Sequence, residues 1–231
     1  MQPVFTPSQT LIPIAGSDQG FPVRRVYCVG RNYAAHAREM GFDPDRDPPF
    51  FFCKPADAVA YCAPGETRQL PFPSLTENFH HEIELVVAIG KGGSDVSIEE
   101  ANDLIYGYAI GLDMTRRDLQ IALRDKGRPW EVGKAFDYGA PIGQIYPKNQ
   151  TGILEAGEIF LQVDGEDRQR SNLSHLIWSI PEIIANLSTL FRLEPGDLIY
   201  SGTPEGVSAI NRGQLLLGGF EGLEDISACY T

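Results

Sequence analysis

No stretch of this chain approaches the roughly 18 consecutive apolar residues that a membrane-crossing helix requires. Its first twenty residues, MQPVFTPSQTLIPIAGSDQG, also lack the basic start and unbroken apolar core of a secretory signal. Neither a membrane nor export is therefore expected, and the cytoplasm is the default location. Basic residues are scarce: 19 Lys and Arg stand against 31 Asp and Glu, a formal net charge of −12. That is the wrong sign for a protein that tracks a phosphate backbone, which argues against nucleic acid as a partner. Cysteine is sparse, and Cys28, Cys53, Cys62 and Cys229 form no CxxC pair, so neither a zinc knuckle, a redox motif nor a disulfide scaffold is indicated and buried free thiols are expected. A GxSxG nucleophile elbow is absent, and Gly90-Lys91-Gly92-Gly93 matches neither nucleotide-binding pattern.

What is present suits one substantial core: 231 residues, 42% hydrophobic and 22% charged. Residues 1–20 read as an irregular arm, and 21–231 as a single domain. Short strands dominate it. Val26–Val29 and Phe50–Phe52 read as strands, joined by a polar, proline-rich loop over Gly41–Pro49 of the kind that serves as a lid. Phe50-Phe51-Phe52 itself reads as core or lid packing. Glu82–Ile89 is an apolar strand, and Ser97-Ile98-Glu99-Glu100 has the spacing of a helix capping box. Tyr106–Leu112 is a strand ending on Asp113, and Thr115–Leu123 reads as a helix. Asp164-Gly165 between Ile159–Val163 and Asp167–Arg170 predicts a tight hairpin, because both turn positions require positive φ. A helix begins at Ser179 and carries Ile183, Ile184, Leu187 and Leu190 on its core face. Leu198–Ser201 returns to strand, whereas Asn211–Gly219 reads as irregular. The fold expected is mixed α/β and β-rich, with a few short helices.

Glu82 and Glu84 stand two apart on a strand, so both carboxylates project from one face with Ile83 behind them. Like charges side by side are easiest to sustain around a cation, and an all-oxygen set suits a hard ion such as magnesium, calcium or manganese. Asp113, closing its own strand, is the candidate third ligand. On spacing alone, a solvated strand edge and a helix N-cap at Asp113 stay open as readings. His80 and His81 are assigned to local packing. His36 and Glu39 lie three apart in a helical segment, where a carboxylate can orient an imidazole as a general base or form an exposed ion pair. Lys134 sits among apolar neighbours and would need an anion if buried, or would snorkel to water. With a net charge of −12, an anionic substrate would need local cations, for which Arg31, Lys54, Arg116, Arg117, Arg128 and Lys134 are candidates.

Taken in order, the motifs Val29-Gly30-Arg31-Asn32-Tyr33 with His36, His80-His81-Glu82-Ile83-Glu84-Leu85, Gly111-Leu112-Asp113-Met114-Thr115-Arg116-Arg117-Asp118, Lys134-Ala135-Phe136 and Ser201-Gly202-Thr203-Pro204 closely resemble the fumarylacetoacetate hydrolase family, in its short, single-domain acylpyruvase form. The likeness runs from about Val26 to the C-terminus. It implies a β-roll or sandwich and a homodimer or larger assembly. It also implies Mg2+ or Mn2+ on Glu82, Glu84 and Asp113, a water-activating pair His36 and Glu39 on a segment that orders over substrate, and an oxyanion-stabilising Lys134. Arg31, Lys54, Arg117, Gln120 and Thr203 match positions that hold substrate or support the site. The activity implied is metal-dependent hydrolysis of the carbon-carbon bond of a 2,4-dioxo acid, releasing pyruvate, as in the breakdown of aromatic acids. The loop after Gly41 resembles the branch acting on fumarylpyruvate. Decarboxylation or keto-enol tautomerisation of oxaloacetate is the alternative.

Overall fold

The computed structural model describes residues 2–6, 8–39 and 47–231, with the backbone alone at 37–39. Most of the expected lid, residues 41–46, lies outside these. The architecture is a strand-rich mixed α/β fold built on two sheets. In the larger, Phe51–Lys54, Val26–Val29, Leu198–Tyr200, Ile83–Ile89, Ile105–Leu112, Ala140–Ile142 and Val59–Tyr61 follow one another, and Tyr146–Pro147 pairs beside Ile105–Leu112. The second runs Glu166–Asn172, Glu158–Val163, Leu215–Phe220, Ile226–Tyr230, Thr67–Leu70.

Ile83–Ile89 is buried at every position because both faces of its sheet are covered. Leu85, Val87 and Ile89 enter the main core with Leu161, Leu216 and Ile226 of the second sheet and with Ile183, Ile184 and Leu187 of the helix Ile180–Leu190. Val86 and Ala88 alternate to the opposite face, where Ile12, Ile14 and Phe21 cover them. Residues 1–20, expected to be irregular, thus contain a strand Leu11–Pro13 that pairs with Gly20–Pro22.

Local signals placed several elements correctly. Ser97 caps Ile98–Leu104 through reciprocal bonds with Glu100, and the Ser179 N–H donates to Glu182 Oε2 at 2.9 Å. Asp164 and Gly165 adopt φ of 52° and 83° in the hairpin joining Glu158–Val163 to Glu166–Asn172. Elsewhere the structure corrects the expectation. Thr115–Arg116 is a strand paired with Phe79–His80, and the helix starts only at Arg117 and runs to Arg124. Leu190 is 62% exposed because it sits in the last turn, beyond the packed face. Leu215–Phe220 is not irregular; it holds the centre of the second sheet, where pairing on both edges stabilises a strand that carries two glycines. Of the four cysteines, all free, Cys53 is exposed, while Cys28, Cys62 and Cys229 are buried as expected.

One glycine marks a contact the backbone cannot relax. A Cβ on Gly107 would lie 2.1 Å from the Tyr146 carbonyl oxygen of the paired strand. Gly107→Ala is expected to lower stability by about 1–3 kcal/mol by overpacking, read as a lower urea midpoint at unchanged slope; an unchanged midpoint would mean that Tyr146–Pro147 moves away at no cost.

Candidate active site and metal centre

Antiparallel pairing of Ile83–Ile89 with Ile105–Leu112 sets the start of one strand beside the end of the other, with Ile83 opposite Leu112. Glu82 and Asp113, each one residue beyond that register, are joined by a 2.8 Å bond from the Asp113 N–H to the Glu82 carbonyl. Glu84 shares the face of Glu82 and accepts from the Gly202 N–H at 2.7 Å, in the loop after Leu198–Tyr200. Strand pairing therefore assembles three buried carboxylates whose oxygens lie within 4.8 Å of one another.

Cations surround this cluster unevenly. The Lys134 ammonium, 2% exposed, lies 2.8 Å from Glu82 Oε2 and 2.7 Å from Asp113 Oδ2, so it does not snorkel. Arg117 pairs with Glu82 and donates to Gln120. Burial would raise the Glu82 carboxyl, but Lys134 and Arg117 outweigh it and hold the group below the usual carboxylate range. Glu84 is pushed well above that range by burial and then by the Asp113 and Glu82 charges. Burial opposes the Lys134 charge, yet Asp113 and Glu82 raise its pKa above the ordinary lysine value, so it stays an ammonium.

The donor set fits a hard divalent ion on the structure's own terms. Glu84 faces two like charges with no cationic side chain bonded to it among the described residues. Asp113 Oδ1 is buried without an aligned hydrogen bond, although the Lys54 ammonium is 2.8 Å away. An ion among the three carboxylates would relieve both, and oxygen ligands suit Mg2+ or Mn2+. The histidines do not compete. His81 Nδ1 meets Gln169 Oε1 at 2.9 Å and its Nε2 meets Ser208 Oγ at 3.0 Å. His80 Nδ1 accepts from Arg117 Nε at 3.3 Å, which puts its proton on Nε2, toward Asn78 Oδ1 at 2.7 Å. Burial, joined at His80 by the Arg117 charge, lowers both imidazoles to about 4.

Glu82 borders a cavity of about 220 Å³, which Arg31, His36, Arg117, Gln120 and Lys134 line with it. His36 reaches it from the helix Ala34–Glu39, which Asn32 anchors by donating to the Trp178 and Ser201 carbonyls at 2.9 and 2.8 Å. The Glu39 side chain, expected to orient His36, lies outside the described residues. Two other expected substrate contacts sit away from the cavity wall. Lys54 is 2% exposed and bonds the carbonyls of Met114 and Gly139, each at 3.0 Å, and that of Lys134, besides meeting Asp113. Its three protons are thereby committed to the protein, which makes it a support beneath the carboxylates. Thr203 Oγ1 accepts from Gln169 Nε2 at 2.8 Å.

Sequence reading missed Gln169, which also donates to the Pro204 carbonyl at 2.8 Å and so ties the Ser201–Pro204 loop to the His81 motif. Nothing local signals it: it is one buried side chain on a polar strand. Gly30, Phe50, Trp130 and Arg124 complete the cavity wall. Phe50 packs edge-on against Trp130, ring centroids 5.6 Å apart, and the Arg31 guanidinium lies over Phe50 at 5.2 Å.

No helix among the described residues is long and apolar enough to cross a membrane. The fold superposes on the fumarylpyruvate hydrolase of Pseudomonas aeruginosa, solved with Mn2+ and pyruvate, with a TM-score of 0.98 and 60% identity over 100% of this chain and 99% of that one. A fumarylpyruvate hydrolase of Ralstonia sp is 54% identical over 156 residues, 68% of this chain and 81% of that protein. The mitochondrial oxaloacetate decarboxylase of Dictyostelium discoideum is 39% identical over 87% of this chain and 90% of its own. Residues 25–224 match the Fumarylacetoacetate (FAA) hydrolase C-terminal family, and with the carboxylate cluster and cavity formed by that same stretch, the chain belongs to the fumarylacetoacetate hydrolase family.

Proposed function

We propose that this protein is a metal-dependent hydrolase that cleaves the carbon-carbon bond of an acylpyruvate, with fumarylpyruvate as the substrate and fumarate and pyruvate as products. The observation that carries this reading is one cavity lined by an imidazole, His36, an ammonium, Lys134, and Glu82 of the buried cluster of three carboxylates. A purely structural metal would need only the carboxylates. Likeness to two fumarylpyruvate hydrolases, at 60% and 54% identity, supports the choice of substrate.

Glu82, Glu84 and Asp113 hold one divalent ion, Mg2+ or Mn2+, which when bound supplies Lewis acidity to the 2-oxo acid end of the substrate. His36 takes the proton from a water placed at the distal carbonyl, with Glu39 orienting the imidazole. Lys134 donates two of its three N–H bonds to Glu82 and Asp113 and the third as a hydrogen bond to the oxyanion that forms, staying an ammonium throughout. Arg31, Arg117 and Gln120 position the substrate from the cavity wall. Lys54 and Thr203 act one layer further out, through Asp113 and through the loop that carries Gly202. After the bond breaks, the His36 imidazolium returns its proton to the pyruvyl carbon, which leaves the base neutral for the next water. A cytoplasmic homodimer completes the reading.

Chelator-stripped protein, reloaded with Mg2+ or Mn2+, is expected to convert fumarylpyruvate to fumarate and pyruvate much faster than it consumes oxaloacetate or acetylpyruvate. His36→Ala should slow that hydrolysis by about 100- to 10,000-fold, the usual contribution of a positioned base. Turnover of oxaloacetate alone, surviving in His36→Ala, would overturn hydrolysis in favour of the chemistry named for the Dictyostelium relative, because carbon dioxide leaves without attack by water.

A further inference from the structure

Arg117, Gln120 and Arg124 all line the cavity from one helix, at positions i, i+3 and i+7 of Arg117–Arg124. That spacing places them on a single face, with Arg124 about 10 Å along the axis from Arg117. The two arginines stand in different electrostatic situations. Arg117 is buried and paired with Glu82 at the carboxylate end. Arg124 is 38% exposed, and the carboxylate it meets, Asp125 Oδ1 at 2.9 and 3.1 Å, is 59% exposed on the next residue. An exposed pair of adjacent residues contributes little to stability, so a ligand carboxylate can replace Asp125 at small cost. Phe50 and Trp130, packed edge to face, supply aromatic wall to the same cavity.

We propose that Arg124 forms a second anion subsite, which binds the carboxylate at the far end of an extended, planar dicarboxylic acyl chain lying along Phe50 and Trp130. This rests on the acylpyruvate reading and deepens it: Arg124 is the specificity-determining residue that separates acyl groups ending in a carboxylate from those ending in a methyl. The guanidinium binds such a carboxylate through charge-assisted, paired N–H donors. In a protein of net charge −12, a cation at the cavity mouth also draws in a dianion that the rest of the surface repels.

Two measurements test it. In kinetics, Arg124→Gln should lower the ratio of kcat/KM for fumarylpyruvate over acetylpyruvate by about 10- to 100-fold, the range for a lost hydrogen bond to a charged group, chiefly through KM, and Arg124→Lys should restore part of the ratio. An unchanged ratio overturns the proposal. In binding, the Mn2+-loaded protein is titrated with fumarate and with crotonate, which carries a methyl in place of one carboxylate. Wild type should prefer fumarate, and Arg124→Gln should lose that preference. Equal affinity for the two in wild type, or a preference that survives in Arg124→Gln, overturns the subsite. If neither acylpyruvate is turned over, the hydrolase reading fails, while the fumarate and crotonate titrations still decide the role of Arg124.

Discussion

Replacing Lys54 with methionine is expected to lower unfolding stability by about 3–5 kcal/mol, the cost of removing one partner of a buried ion pair. Methionine keeps most of the unbranched apolar stem, so the change isolates the ammonium. Lys54 is 2% exposed, and its Nζ lies 2.8 Å from Asp113 Oδ1 and 3.0 Å from the Met114 and Gly139 carbonyls, with the Lys134 carbonyl also accepting from it. Without it the Met114 and Lys134 carbonyls lose a buried donor, the Gly139 carbonyl keeps the Met114 N–H, and Asp113 is left with Lys134 as its ion-pair partner beside Glu82 and Glu84. At about 2–4 °C per kcal/mol for a domain of this size, Tm should fall by roughly 6–20 °C. Calorimetry or urea unfolding of the metal-free protein checks this directly. A Tm within a degree or two of wild type would mean that the ammonium is not what holds this layer together.

Glu84→Ala should abolish metal-dependent turnover, leaving the variant at the level of the chelated protein whatever metal is added. Glu84 is the carboxylate most in need of a cation. It is 1% exposed, its carboxyl is raised by burial and by Asp113 and Glu82, and among the described residues its side chain accepts from the uncharged Gly202 N–H rather than from a cation. Removing it leaves an incomplete ligand set, because Glu82 and Asp113 are already engaged by Lys134 and Arg117. A readout apart from activity follows from linkage. Mn2+ at about 100 times its Kd should stabilise wild type by about 2.7 kcal/mol, seen as a higher Tm, and should leave Glu84→Ala unmoved. Should the variant show the full Mn2+ shift, the ion binds elsewhere and the carboxylate centre is misassigned.

Residues within a few positions of each other determined what could be read without a fold. The shared face of Glu82 and Glu84 follows from strand alternation, the Ser97–Glu100 and Ser179–Glu182 caps from helix-end geometry, and the Asp164-Gly165 turn from the backbone freedom of those two positions. The motif order from Arg31 to Thr203 added the family and the set of residues to watch. Contacts between distant segments decided the rest. Lys54 meets the Met114 carbonyl 60 positions away, and His81 meets Gln169 across 88; neither partner leaves a mark on the other's local sequence. Leu215–Phe220 looks irregular by itself and is a strand because Glu158–Val163 and Ile226–Tyr230 pair with it. Arg124 is one more exposed arginine until the helix docks with its Arg117 face on the cavity. The chain by itself thus determined its chemistry-bearing residue types and local turns, since those depend on short-range sterics and hydrogen bonds. Only the tertiary structure decided which cations neutralise the carboxylates and which line the cavity, because charge balance in a buried site depends on groups that pairing and packing bring together.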